Sequence, residues 1–176
     1  MVEQLTFQTL FQFLQTVGIL VGVFYYIITI RTNQRNQELA LETRQAQLFS
    51  QYHLYFNDKA FAKDRLDIRN YWEWEDYEDF NRKYGTASRD LDLYSQWTSL
   101  LAYYEGLGVL VKRGLINIEL VDDMMSGAIT RYWEKHEGLI KEMREKANWP
   151  QIAEHIEYLY NHIKPIVMEQ HPELKP

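Results

Sequence analysis

The hydrophobic pattern of the chain changes character once, and sharply. From Gln4 to Ile30 there is no charged residue, and the stretch TVGILVGVFYYIITI from Thr16 to Ile30 is almost wholly apolar, until Arg31 closes it. As a helix rising about 1.5 Å per residue, the full run reaches roughly 40 Å, enough to cross a bilayer. Beyond Arg31 the apolar positions thin out and recur at three and four, the spacing of helices that bury one face. The run lacks the basic start and the small-residue cleavage site of a signal peptide, so it reads as an uncleaved anchor. No second segment is apolar enough to pack around it as a soluble core would.

Polar residues divide the anchor into faces. Gln4, Gln8, Gln12 and Gln15 recur at helical spacing and project in nearly the same direction as Gly22 and Tyr26, with Gly18 at the border. Side-chain amides in hydrocarbon seek partners, and Gly18-x-x-x-Gly22 lets two backbones approach, so Gln8, Gln12, Gln15, Gly18 and Gly22 form the candidate membrane-helix interface. Two other readings stay open: a headgroup location for the upper glutamines, and a glutamine-lined pore made by several copies. Arg31, Arg35 and Arg44 follow the span while Glu3 is the only side-chain charge before it. The positive-inside rule then puts the N-terminus outside the cell membrane and the C-terminal part in the cytoplasm.

Downstream, the pattern predicts helices throughout. From Arg31 to Phe56 no Gly or Pro interrupts, so the spanning helix continues as a stalk whose lower end, Phe49, Tyr52 and Phe56, packs on the domain below. Asn57-Asp58 offers a cap for AFAKDRLDIRNYWEW. Trp74, Tyr77, Phe80 and Tyr84 form an aromatic stripe that ends at Gly85 as a C-terminal cap; beside carboxylates it could receive a cation, but core packing is the simpler reading. Trp97, Leu100, Leu101, Tyr104, Leu107, Gly108 and Val111 mark a central helix closed by Lys112-Arg113-Gly114. Asn117 caps a further run with Val121, Met125, Ile129, Tyr132, Leu139 and Met143 inside, bent or broken near Ser126-Gly127. After Asn148-Trp149-Pro150, Ile152, Ile156, Leu159, Ile163 and Ile166 give the last helix, kinked or shortened by Pro165.

The expected fold is therefore all-α: an anchor over 1–30, a helical stalk over 31–56, and a cytoplasmic bundle of about four to six helices over 57–176. Composition agrees, since 176 residues hold only 8 Gly and 4 Pro. The net charge of -6 argues against nucleic acid as the main partner. With no cysteine, disulfides, thiolate metal sites and cysteine nucleophiles are excluded.

Candidate chemistry is sparse. The chain has no Glu-x-x-His of the kind that binds metals in helical bundles, and no Walker loop, dinucleotide fingerprint or G-x-S-x-G elbow. His155 and His162 share a face but lie about 10 Å apart along a helix, too far for one ion. No metal or cofactor is expected. Arg131-Tyr-Trp-Glu-Lys-His136 resembles the arginine-to-histidine motif of helical ribonucleases of the HEPN superfamily, where a dimer brings both residues to an RNA phosphate. The five-residue offset turns Arg131 roughly 140° from His136, and Tyr132 stands where that family often has a polar residue. Glu105, beside Gly106 and Gly108, is a candidate buried partner for Arg113 or Lys112.

The anchor together with WTSLLAYYEGLGVLVKRGLINIELVDDMMSGAITRYWEKHEGLIKEMREK, from Trp97 to Lys146, resembles a family of small prokaryotic membrane-anchored helical proteins known only as a domain of unknown function. The resemblance implies an architecture and no activity. The expectation is a non-enzymatic interaction or scaffold protein in membrane lipid, oligomeric or joined to other membrane subunits. A membrane-tethered ribonuclease and an oligomeric pore are the alternatives.

Overall fold

The computed structural model describes residues 2–174, with the side chains of 6–173. Among the described residues the chain forms six α-helices and no strand: α1 (Val2–Phe56), α2 (Lys59–Tyr71), α3 (Tyr77–Lys83), α4 (Leu91–Lys112), α5 (Ile118–Ala147) and α6 (Glu154–Gln170), closed by a single 3-10 turn (Pro172–Leu174). Its contacts divide it into two units, Met1–Arg44 and Gln45–Pro176.

The first unit is helix alone. Ile19, Leu20 and Val21 are 67%, 59% and 63% exposed, and three consecutive helical positions cover more than half the circumference. Within this span the hydroxyls of Thr16 and Thr29 donate to the carbonyls of Gln12 and Tyr25 one turn back, at 2.9 and 2.8 Å. The helix thus satisfies these polar groups itself, as a segment surrounded by hydrocarbon must. The segment is long and apolar enough to cross a membrane.

The second unit begins with the last three turns of α1. Phe49 and Phe56 are buried there, and Tyr52 packs against the core through its carbonyl, which accepts from the Tyr103 hydroxyl at 3.1 Å. Asp58 caps α2 by accepting from the amides of Ala60 and Phe61. Expected to run on through Trp74, α2 stops at Tyr71 because Lys135 of α5 takes its last carbonyls. The ammonium donates to Ile68, Arg69 and Trp72 oxygens at 2.7 to 2.8 Å, using all three of its hydrogens.

Trp74 consequently lies outside α3, yet the aromatic stripe is core: Phe80 is buried, and Trp74, Tyr77 and Tyr84 pack against it. Helix α4 starts earlier than its apolar repeat, at an Asp90 cap that accepts from Leu93 N, and ends before Gly114 at φ +67°. No break occurs at Gly127 or Gly138; α5 runs unbroken until Asn148 turns left-handed. Its 30 residues bury a continuous apolar face, which outweighs the propensity cost of two glycines, about 1 kcal/mol each. Likewise α6 continues five residues past Pro165, an exposed position. The core closes where α6 packs on both α4 and α5.

Candidate functional site

Two polar arrangements stand out in the helical bundle, one resolved and one unresolved. The resolved one joins α4 to α6. The N-cap position of α6 is Ala153, which has no side chain able to satisfy the first amides of the helix. Glu105 supplies the missing acceptor from α4: Oε1 accepts from the amides of His155 at 2.9 Å and Ile156 at 2.8 Å, and Oε2 pairs with His155 Nδ1 at 3.1 Å. A carboxylate is the preferred charge at that end of a helix. One turn on, a Cβ on Gly108 would stand 2.3 Å from the His155 carbonyl oxygen, so only glycine lets the helices meet at this distance. Lys112 completes the seam on Glu154 at 2.8 Å.

The pairing of Glu105 with Arg113 or Lys112 expected from sequence is therefore not formed. Arg113 occupies the exposed C-cap of α4, and Glu105 turns instead to backbone amides fifty residues away. Within EGLGVLVK, Glu105 caps α6 and Gly108 permits the close approach of the two helices.

The unresolved arrangement is a cavity of about 40 Å³ among α2, α4 and α5. Ile68 and Leu100 give it apolar walls; Arg65, Arg69, Arg131 and Lys135 bring four cations, and no carboxylate lines it. Among the described residues, none of these four makes an ion pair. Arg65 stacks on Phe56 with its guanidinium carbon 3.8 Å from the ring centre, and its Nε is buried without a partner. Burial, then the charges of Arg69 and Arg131, pull the Arg65 pKa down, against an opposing contribution from Tyr104.

Tyr132 and His136 reach the same cavity from α5. His136 is 1% exposed and wedged among Trp74, Trp97 and Tyr132, with ring centres 5.2, 5.1 and 4.3 Å away. Its Nδ1 is 2.7 Å from the Tyr132 carbonyl oxygen, which can only accept, so Nδ1 carries the proton. Burial holds the imidazole pKa down at about 4, and the neutral ring leaves Nε2 as a bare acceptor. That Nε2 and the Tyr132 hydroxyl are both buried without a partner. Such groups are costly when unmet, and both belong to residues that border the cationic cavity.

Arg131 and His136 thus line one cavity despite their 140° separation. They are the two edges of a wide helical face that also holds Ala128, Tyr132 and Lys135. Arg131 is exposed and His136 is sealed, a disposition unlike a pair presented together to an RNA backbone. Arg65, Arg69 and Lys135 escaped sequence reasoning. Their trace was two cationic pairs one turn apart, Arg65/Arg69 and Arg131/Lys135, which in isolation look like solvated faces.

In the apolar helix, Gln8, Gln12, Gln15, Gly18 and Gly22 are all exposed on α1, and a Cβ at either glycine would meet nothing within 4 Å. Gln4 lies outside the residues whose side chains are described. No group of three or more His, Asp or Glu suited to a metal ion occurs among the described residues.

The profile of one protein family, Domain of unknown function (DUF4760), matches residues 12–163. The chain belongs to this family. The DUF4760 match takes in the apolar helix from Gln12 onward and the bundle as far as Ile163, and so includes both arrangements described above. No curated protein and no solved structure matches the chain.

Proposed function

We propose that this DUF4760 protein is a single-pass membrane subunit, N-terminus out and bundle in the cytoplasm, that acts by interaction and scaffolding and not by catalysis. The observation that carries the reading is the apolar surface of α1 between Phe7 and Ile30. Its side chains are exposed on all sides, and burying them in lipid is the arrangement consistent with their transfer energy, about 25 cal/mol per Å² of apolar area. Arg31, Arg35 and Arg44 on one flank support the orientation.

Within the membrane the polar, small-residue face provides the contact. Gln8, Gln12 and Gln15 offer amides that hydrocarbon cannot satisfy, and Gly18 and Gly22 leave room for a second backbone, so two or more copies associate along this face. Size-exclusion chromatography with light scattering in detergent tests it. Replacing Gln12 and Gln15 together with leucine shifts the wild-type oligomer toward monomer; an unchanged mass would remove the self-association. The HEPN-like alternative draws little support from the sealed position of His136, and nothing in α1 favours a pore over a dimer contact.

A further inference from the structure

We infer that the bundle binds a second copy of itself across the face where α2, α5 and the loop 72–76 meet, the arginines of each copy pairing with the carboxylates of the other. This contact lies wholly in the second unit and stands apart from the α1 face.

Two grooves of opposite charge adjoin on this face, and Lys135 lines both. On one side lie Arg65, Arg69 and Arg131, with no carboxylate in the wall. On the other, a groove of about 530 Å³ opens between Trp72, Trp74 and Lys83 and carries Glu73 and Glu75. Asp76 lines the adjoining recess, which shares Glu75 and Lys83 with that groove.

Pairing within one copy leaves these charges over. Arg82 and Lys83 are both spent on Asp79, Lys146 is spent on Glu78, and Lys135 on the end of α2. Among the described residues, neither the three arginines nor Glu73, Glu75 and Asp76 enter an ion pair. Three positive charges therefore stand beside three negative ones. Arg69 and Glu73 are four residues apart, the spacing of an ion pair on a helix, but α2 ends at Tyr71 and Trp72 is extended, so that pair does not form. The fold holds the two signs apart on neighbouring surfaces.

A face of this kind is complementary to itself. In a two-fold contact each residue meets its counterpart's neighbour reciprocally, so the arginines of either copy reach the carboxylates of the other. The mutual repulsion of Arg65, Arg69 and Arg131 is then offset by opposite charge. Trp74, half-buried with the Lys135 ammonium 5.2 Å from its ring centre, supplies an aromatic centre inside a charged rim. An acidic protein would match the arginines and be repelled by Glu73, Glu75 and Asp76; a basic one would meet the reverse. A second copy matches both halves. Exposed ion pairs are weak and screened, so the contact is sensitive to salt.

Disulfide trapping on the full chain in dodecyl maltoside tests the contact, since the sequence has no cysteine of its own. Arg131→Cys and Glu75→Cys, both at exposed positions, are placed in differently tagged copies, co-expressed and oxidised at low ionic strength. The mixed disulfide should exceed either like pair by about threefold or more, and the excess should fade as salt rises. Adding Glu73→Arg to the Glu75→Cys copy should cut the mixed product about threefold, and adding Arg69→Glu to the Arg131→Cys copy should restore it. Restoration by a second charge reversal is not an effect that unfolding can produce. Gln12→Leu with Gln15→Leu should leave the ratio of mixed to like disulfides unchanged, so this contact and the α1 contact fail separately. Equal yields of mixed and like pairs, indifference to salt, or no restoration by Arg69→Glu would each overturn the inference.

Discussion

The seam between α4 and α6 and the cavity among α2, α4 and α5 share one helix and treat polar groups in opposite ways. At the seam the polar groups are paired: Glu105 meets two amides and an imidazole, and Lys112 meets Glu154. Among the residues around the cavity, the Arg65 Nε, Tyr132 hydroxyl and His136 Nε2 are buried and meet none, near a cluster of like charges. A buried polar group that is satisfied specifies the packing of a fold, whereas one left open is a cost that the rest of the packing outweighs. Glu105, Gly108 and Lys112 therefore belong to construction, whereas Arg65, Arg69 and Lys135, which sequence reasoning passed over, border the cavity.

Substitutions separate the two regions by size of effect. Gly108→Val should be the most damaging change at the seam, because its first added carbon meets a backbone carbonyl oxygen at 2.3 Å and the β-branch cannot swing away. A loss of about 3 kcal/mol in denaturant unfolding is expected; a loss under about 1 kcal/mol would mean the helices part without cost. In the cavity, the largest effect is one of pH. His136 has a folded pKa of about 4 against 6.5 for a free histidine, so the unfolded chain takes up the proton first as pH falls. Its contribution is complete above pH 7 and is lost between about pH 6.5 and 4, up to about 3 kcal/mol. His136→Phe should flatten the stability profile in that window, whereas an equally steep profile would assign the acid sensitivity elsewhere.

Glu105→Ala strands the amides of His155 and Ile156 and should cost about 2 kcal/mol by chemical denaturation. Glu105→Gln, which keeps an acceptor, should recover about half; equal losses would show that the charge alone matters. The smallest change has the opposite sign. Arg131→Gln relieves repulsion on Arg65 and should stabilise the protein by about 0.3 kcal/mol, discounted for the exposure of Arg131 and fading as salt rises. Destabilisation would mean that the cluster holds the fold together.

The two regions also differ in how far sequence could reach them. Caps were legible because the signal is local: Asp58 and Asn117 bind amides two or three residues on, as their position before apolar repeats implied. The inward face of α5 followed from periodicity, and so did the core role of Tyr77 and Phe80 on α3, whereas Trp74 reaches the same core from outside a helix. What escaped depends on distant partners. The end of α2 is set by Lys135, 63 to 67 positions away, and the α6 cap by Glu105, 50 and 51 positions away. Propensity overstated Gly127 and Pro165, where burial of one continuous face carries the helix through. Arg65 and Arg131 become neighbours only after α2 and α5 pack around α4.

Central to the account is that α1 crosses a membrane with its N-terminus outside, and the absence of cysteine makes this directly measurable. Single cysteines at Thr6 and at Lys141, both exposed, are labelled in intact cells with a membrane-impermeant maleimide. The account predicts that Thr6→Cys reacts at once and Lys141→Cys reacts only after permeabilisation. Immediate labelling of both, or of Lys141→Cys alone, would contradict it.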